Sequence, residues 1–253
     1  MQQATLSRPR VPRPSAIALP LGAVARSPLW GALAVALLAA WFRFRGVSAS
    51  RPDAFYDAAV RSMGLSWHNF FFGAFDPSGQ LAVDKPPVDL WLQVASVKLF
   101  GFSTTSLVLP AAVFGTLAVP LLYDLVRRVF GVLPGLGAGA ALAVLPVSVV
   151  ASRSDGLDSV MMALAVLAGW LCVRAVQTGR ARWLYVSALV MGVDFNVKLF
   201  EALVPLPAIF VLYLLGARVP VRHRLEQLLA ASAIFVFAAL SWAIAVSLSP
   251  GPH

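Results

Sequence analysis

Charged side chains are scarce in this sequence: they make up 12% of its 253 residues, about half the share of an ordinary soluble domain. Cysteine is almost absent. Cys172 stands alone, which excludes a disulfide-built secreted domain. Lysine occurs only at Lys85, Lys98 and Lys198. There is no HExxH, no Cys/His metal box and no glycine-rich phosphate loop, so those motif-borne chemistries have no footing. What fills the chain instead is apolar, at 59% hydrophobic residues. Disorder is thereby excluded for the bulk, and a soluble globule of this length could not hide so much apolar surface. A multi-pass membrane protein remains. The net charge of +9 would point to nucleic acid in a soluble protein. In a membrane protein it reflects basic residues gathered on the cytoplasmic side, and no nucleic-acid partner is expected.

Residues 1–26 carry Arg8, Arg10, Arg13 and Arg26 among prolines and read as a disordered basic cytoplasmic arm. Residues 27–253 read as one transmembrane domain. Seven apolar stretches follow one another, at 27–45, 105–126, 132–151, 158–176, 183–197, 199–217 and 227–249. Backbone groups in lipid must pair internally, so all seven are expected to be helices. Arg43 and Arg45, at the end of the first, are expected to snorkel outward. With the N-terminus inside, the inner segments hold 12 basic residues against two acids, and the outer segments hold 8 against 9. That asymmetry follows the positive-inside rule. Residues 46–104 form a long first outer loop. Its apolar run at 88–100 is too short to span, and reads as a juxtamembrane or re-entrant helix. Gly131–Gly139 reads as small-residue helix packing.

The acids cluster near the outer boundary, which suits a site at that interface better than a mid-membrane path. Asp53 and Asp57 share one face of a helix over 53–63, with Asp57 and Arg61 spaced for an ion pair. Asp84-Lys85 precedes Pro86-Pro87, which fix an extended entry to a helix, and a lysine there can hold a phosphate as a point charge. Arg153, Asp155 and Asp158 lie where the fourth helix begins, where an acid can also simply cap it. Asp194, Asn196, Lys198 and Glu201 sit at the outer end of the fifth. His68 is a weaker candidate for chemistry. Each cluster alone also reads as a solvated helix face, a surface ion pair or a cap.

Taken in order, several segments resemble one family. They are Phe55-Tyr56, Ala58-Ala59-Val60-Arg61-Ser62-Met63, Ser66-Trp67-His68-Asn69-Phe70-Phe71-Phe72-Gly73, Asp84-Lys85-Pro86-Pro87 and Leu99-Phe100-Gly101. Arg127-Arg128-Val129-Phe130-Gly131, Thr178-Gly179-Arg180-Ala181-Arg182-Trp183-Leu184 and Lys198 continue the series. The chain, over about residues 28–249, resembles glycosyltransferase family 39, in particular its actinobacterial branch. That family includes the protein O-mannosyltransferases and the lipid A aminoarabinose transferases. The resemblance implies an all-α integral-membrane fold of GT-C type, with about seven transmembrane helices. It implies transfer of a sugar from a polyprenyl-phosphate donor to a protein or cell-envelope acceptor hydroxyl, at the outer face of the cytoplasmic membrane among its lipids. Asp53 matches the family's acidic residue of the first outer loop, with Asp57 as second candidate, and Asp158 matches the acid of the second loop. Lys85 matches the lysine that meets the lipid phosphate, and Lys198 a lysine ending the fifth helix, with Arg153 beside them. Asp84, Asp155, Tyr56 and His68 support these. A divalent cation is compatible with the chemistry but implied by no ligand box. Because family members have more helices and a further outer domain, the domain is expected to be truncated at its C-terminus. The alternative is a non-catalytic membrane protein, either a transporter or an inactive remnant of such an enzyme.

Overall fold

The computed structural model describes residues 28–249; the expected arm at 1–26 lies outside them. Among the described residues there is no strand, only a single antiparallel bridge between Ala74 and Ala82. The first helix, α1 (Pro28–Phe44), leads into the loop region of α2 (Ala54–Met63), α3 (Trp67–Phe72) and α4 (Val88–Phe100). Then come α5 (Thr104–Phe130), α6 (Val132–Val144), α7 (Pro146–Ala151) and α8 (Asp158–Thr178). The chain ends with α9 (Ala181–Lys198), α10 (Leu206–Gly216) and α11 (Val221–Leu248).

Contacts fix the directions of these helices. Arg43 near the end of α1 meets Ala143 near the end of α6, and Gly31 at the start of α1 lies against Tyr123 late in α5. Ser187 of α9 donates to the Ala168 carbonyl of α8, while Lys198 reaches back to Asp158. Asn196 of α9 bonds Ala238 and Ala239 of α11, so these two run parallel. The seven expected stretches therefore alternate between two ends of one bundle. One end carries α2–α4, the 152–157 loop and the 199–205 turn. The other carries Arg127, Arg128, the Gly179 turn and the 217–220 turn.

The expectation of seven uninterrupted spans needs correction. Among the described residues four helices, α1, α5, α8 and α11, are long and apolar enough to cross a membrane, and α9 with α10 makes a fifth if their 93° bend is one broken span. The 132–151 stretch is split, because Pro146 cannot donate to the helix and pushes Leu145 into an extended conformation. After Lys198 the chain breaks into a 3-10 turn, Leu199–Leu203, before Pro205 starts α10. Leu199 takes a φ of 47°, alone among non-glycine residues described. A branched side chain there is strained.

Arg43 also departs from expectation. It does not snorkel; it is 0% exposed. Its guanidinium donates to the carbonyls of Ala143 at 3.0 Å and Leu142 at 3.1 Å, and to Ser148 Oγ at 2.8 Å and Ser152 Oγ at 3.2 Å. These acceptors exist because the α6–α7 break frees the last carbonyls of α6 from helical bonding. Gly115 of α5 makes the room, since a Cβ there would collide with Ser152.

Two kinds of packing hold the molecule together. Within the bundle, lipid removes the hydrophobic drive between helices, and small residues allow close approach. Gly192 of α9, for example, lies against Ala238 of α11. In the loop region ordinary apolar burial applies: Ala59, Val60, Met63, Leu90, Val94 and Leu107 form one core. Trp91 donates to the Phe70 carbonyl at 2.7 Å, and Trp242 to that of Phe71 at 2.9 Å. These bonds fasten α3 to α4 and α11.

Candidate functional site

Five carboxylates meet at the end of the bundle that carries the loop region. Asp53 caps α2, its side chain accepting from Phe55 N at 2.8 Å, an arrangement that contributes about 1 kcal/mol to a helix. Its backbone N–H, left free by the turn before the helix, donates to both Asp155 carboxylate oxygens at 3.0 Å. Asp155, 2% exposed, thus holds the α2 entry from a loop 102 residues away. Burial raises the Asp155 carboxyl above its ordinary pKa despite that N–H, and the nearby charges of Asp53 and Asp57 push the same way. Asp53 itself stays exposed and Asp57 half-buried.

Asp89 of α4 was not among the expected site residues. It is 1% exposed, and burial pushes its carboxyl up to about 7, with Asp155 and Asp158 adding repulsion. Gln93, one turn later, donates to Asp89 Oδ2 at 2.7 Å and to the Asp155 carbonyl at 2.8 Å. Asp89 Oδ1 and Gln93 Oε1 are both buried acceptors without a donor. One proton on Asp89 would give the pair the donor it lacks. A polar pair four residues apart inside the apolar 88–100 run was the visible signal.

The cations of the site arrive already engaged. Lys85 bonds Asp84 Oδ2 at 2.9 Å and the Tyr56 hydroxyl at 3.1 Å. Asp84 first, then Tyr56, hold its ammonium above the ordinary lysine pKa. Pro87 is the residue before α4, so the two prolines deliver Lys85 to the helix start as expected. Lys198 pairs with Asp158 at 2.5 Å and more loosely with Glu201 at 3.6 Å. Arg153 is the cation of the three with no carboxylate; it makes one long bond, 3.4 Å, to the Gly46 carbonyl.

Other expected contacts fall elsewhere. Arg61 does not pair with Asp57; its guanidinium lies over the Phe102 ring at 3.6 Å, a contact worth about as much as an exposed ion pair. Neither Asp155 nor Asp158 caps α8: Leu157 stands at the cap, and Asp158 is the first helical residue. His68 stacks on Phe72 at 4.5 Å and lines a separate cavity of about 110 Å³ with Trp242. Asn196 serves packing, joining α9 to α11. Asp194 is 0% exposed and neither of its oxygens has a partner. Among the described residues no three His, Cys, Asp or Glu side chains are grouped to hold a metal.

A family model described as dolichyl-phosphate-mannose-protein mannosyltransferase matches residues 84–242, well over half of the chain. The chain belongs to this family. Two mannosyltransferase-family relatives are YycA and YkcB of Bacillus subtilis (strain 168), both provisionally named mannosyltransferases. YycA is 39% identical over 194 residues, covering 77% of this chain, and YkcB is 36% identical over 198 residues, covering 78%. The chain spans 28% of the length of each. Among solved structures, ArnT from Cupriavidus metallidurans in the apo state superposes with a TM-score of 0.68 at 22% identity, over 86% of this chain and 41% of that one. ArnT bound to undecaprenyl phosphate superposes with a TM-score of 0.63 at 20% identity, over the same shares. These likenesses are of fold: the polytopic, all-helical GT-C bundle expected from the sequence. The protein is an integral membrane protein of a glycosyltransferase family.

Proposed function

We propose that this chain builds the donor-phosphate and base end of a membrane glycosyltransferase that takes its sugar from a polyprenyl phosphate. The observation that carries the reading is the convergence of Asp53, held by Asp155, with Lys85 and Lys198 at one end of the bundle. The related fold in ArnT was solved with undecaprenyl phosphate bound, which supports a donor of that chemistry. Asp53 is exposed with one carboxylate oxygen committed to its cap, leaving the other to take a proton from an acceptor hydroxyl. The new bond joins the acceptor hydroxyl's oxygen to the anomeric carbon. The bond from the anomeric carbon to the phosphate oxygen breaks, and the lipid phosphate departs with the electron pair, stabilised by cations. Arg153, lacking a carboxylate, meets that phosphate first. Lys85 and Lys198 join by exchanging Asp84 and Asp158 for it. Before the phosphate arrives Asp158 positions Lys198, and Asp155 positions Asp53 throughout.

The same reading puts the carboxylate end at the outer face of the cytoplasmic membrane and the N-terminus inside, since the opposite end carries the excess of arginine. A test joins both parts. Membranes containing the protein are supplied with radiolabelled polyprenyl-phosphate sugars. Transfer that survives both Asp53→Asn and Lys85→Ala would overturn the site. In a Cys172→Ser background, a cysteine at position 68 should react with an impermeant thiol reagent from outside; reaction only from inside would overturn the orientation.

A further inference from the structure

At the end opposite the carboxylates, positive charge exceeds what the acids of this sequence can neutralise. Every one of the 11 acids in the chain lies within the described residues, and only Asp124 and Glu226 belong to this end. Asp124 is fully used: Arg127 and Arg128 pair with it, and Trp170 Nε1 donates to it at 2.8 Å. Glu226 pairs with Arg222 at 3.0 Å, and Arg224 bonds the carbonyls of Val219 and Leu214. Arg174, in the last turns of α8, has no ion pair among the described residues, and its buried Nε has no acceptor there.

Arg174 is nevertheless held firmly. Its guanidinium lies 5.3 Å from the ring centres of both Trp170 and Trp183, whose indoles meet edge to face at 6.4 Å. Arg128 stacks on Trp170 at 5.3 Å and Arg182 on Trp183 at 5.1 Å. Three guanidiniums thus surround two indoles. Arg174 Nε and Trp183 Nε1 are both buried without an acceptor, and a buried donor left so costs about 1–3 kcal/mol. The start of α9 has no side-chain cap, so its first N–H groups and its positive dipole end add to the same field. Preorganised guanidiniums, orphaned donors and a free helix start together lack one thing, a polyvalent anionic acceptor. A phosphate offers several oxygens and binds arginine in a fork. At the depth where tryptophans line a membrane boundary, the phosphate available is that of a lipid headgroup.

We propose that Arg174, clamped by Trp170 and Trp183 and flanked by Arg128 and Arg182, binds the phosphate of an anionic phospholipid. The site needs only that the chain sits in a bilayer, so it stands or falls apart from the transferase reading. Purified protein is reconstituted in phosphatidylcholine with and without phosphatidylglycerol, and retained lipid is read by native mass spectrometry together with thermal unfolding. Phosphatidylglycerol should be retained and should raise the unfolding temperature. Arg174→Gln should lower its retention about tenfold, and Trp183→Phe should lower it less. Arg174→Lys, which keeps the charge and folds in phosphatidylcholine, should still lose retention because the fork is gone. Arg222→Gln should change nothing. Equal retention by wild type and Arg174→Gln, or no preference for phosphatidylglycerol over phosphatidylcholine, would overturn the site. Millimolar inorganic phosphate should neither protect the protein nor displace the lipid; if it did both, the ligand would be a free anion and the lipid assignment would fall.

Discussion

The two ends of the bundle treat charge in opposite ways. At the carboxylate end, buried polar groups are tied to backbone and to one another across long sequence distances: Asp155 to Asp53, Gln93 to Asp155 and Asp89, Arg43 to Ala143. At the arginine end, guanidiniums remain half-exposed and stack on indoles, with few acids to meet them. The first pattern fixes geometry, as chemistry on a substrate requires. The second leaves charge available to what lies outside the protein.

The contrast can be broken most sharply at Asp53. Asparagine caps a helix as well as aspartate but takes no proton, so Asp53→Asn should keep the fold while sugar transfer falls by about 10²–10⁴. Arg43→Met comes next. It leaves the Ala143 and Leu142 carbonyls and two serine hydroxyls without their donor, and should lower unfolding stability in detergent by about 3 kcal/mol. Arg222→Gln at the other end removes only an exposed pair with Glu226 and should cost less than about 0.5 kcal/mol. Equal losses from these two would erase the distinction between the ends.

Much of this architecture is legible in the sequence for a local reason. The apolar runs and Pro86-Pro87 fix where helices lie and where α4 begins, and α4 spans residues 88–100 as expected. The clustering of acids near one boundary is likewise readable from loop positions. What escapes is long-range. The acceptors of Arg43 come from about a hundred residues away and exist only because Pro146 breaks a helix. Nothing near Arg43 announces them, so snorkelling is the natural expectation. Asp89 escapes for a related reason: Gln93, four residues on, is the only local signal, and the tie from Gln93 to the Asp155 carbonyl comes from a loop 62 residues away.

Asp89 sharpens the comparison through pH. Its folded carboxyl titrates near 7, raised by burial from the ordinary 3.8. The folded state therefore holds a proton that the unfolded chain has released between those values, and stability should fall as pH rises through that window, then level off above 7. One proton corresponds to about 1.4 kcal/mol per pH unit. Thermal unfolding from pH 4 to 8 should show a downward slope that flattens in Asp89→Asn, an amide that stays neutral throughout. An unchanged slope in Asp89→Asn would remove Asp89 as the source of that slope. The strained Leu199 offers a small gain: Leu199→Gly relieves a φ of 47° and should raise stability by no more than about 1 kcal/mol.

If the carboxylate end meets a lipid phosphate through Lys85, equilibrium binding of undecaprenyl phosphate to the purified protein will show it, wild type against Lys85→Ala, with Lys98→Ala as the control. Binding weakened about tenfold or more by Lys85→Ala and unchanged by Lys98→Ala is the predicted result. Equal affinity for wild type and Lys85→Ala would contradict it.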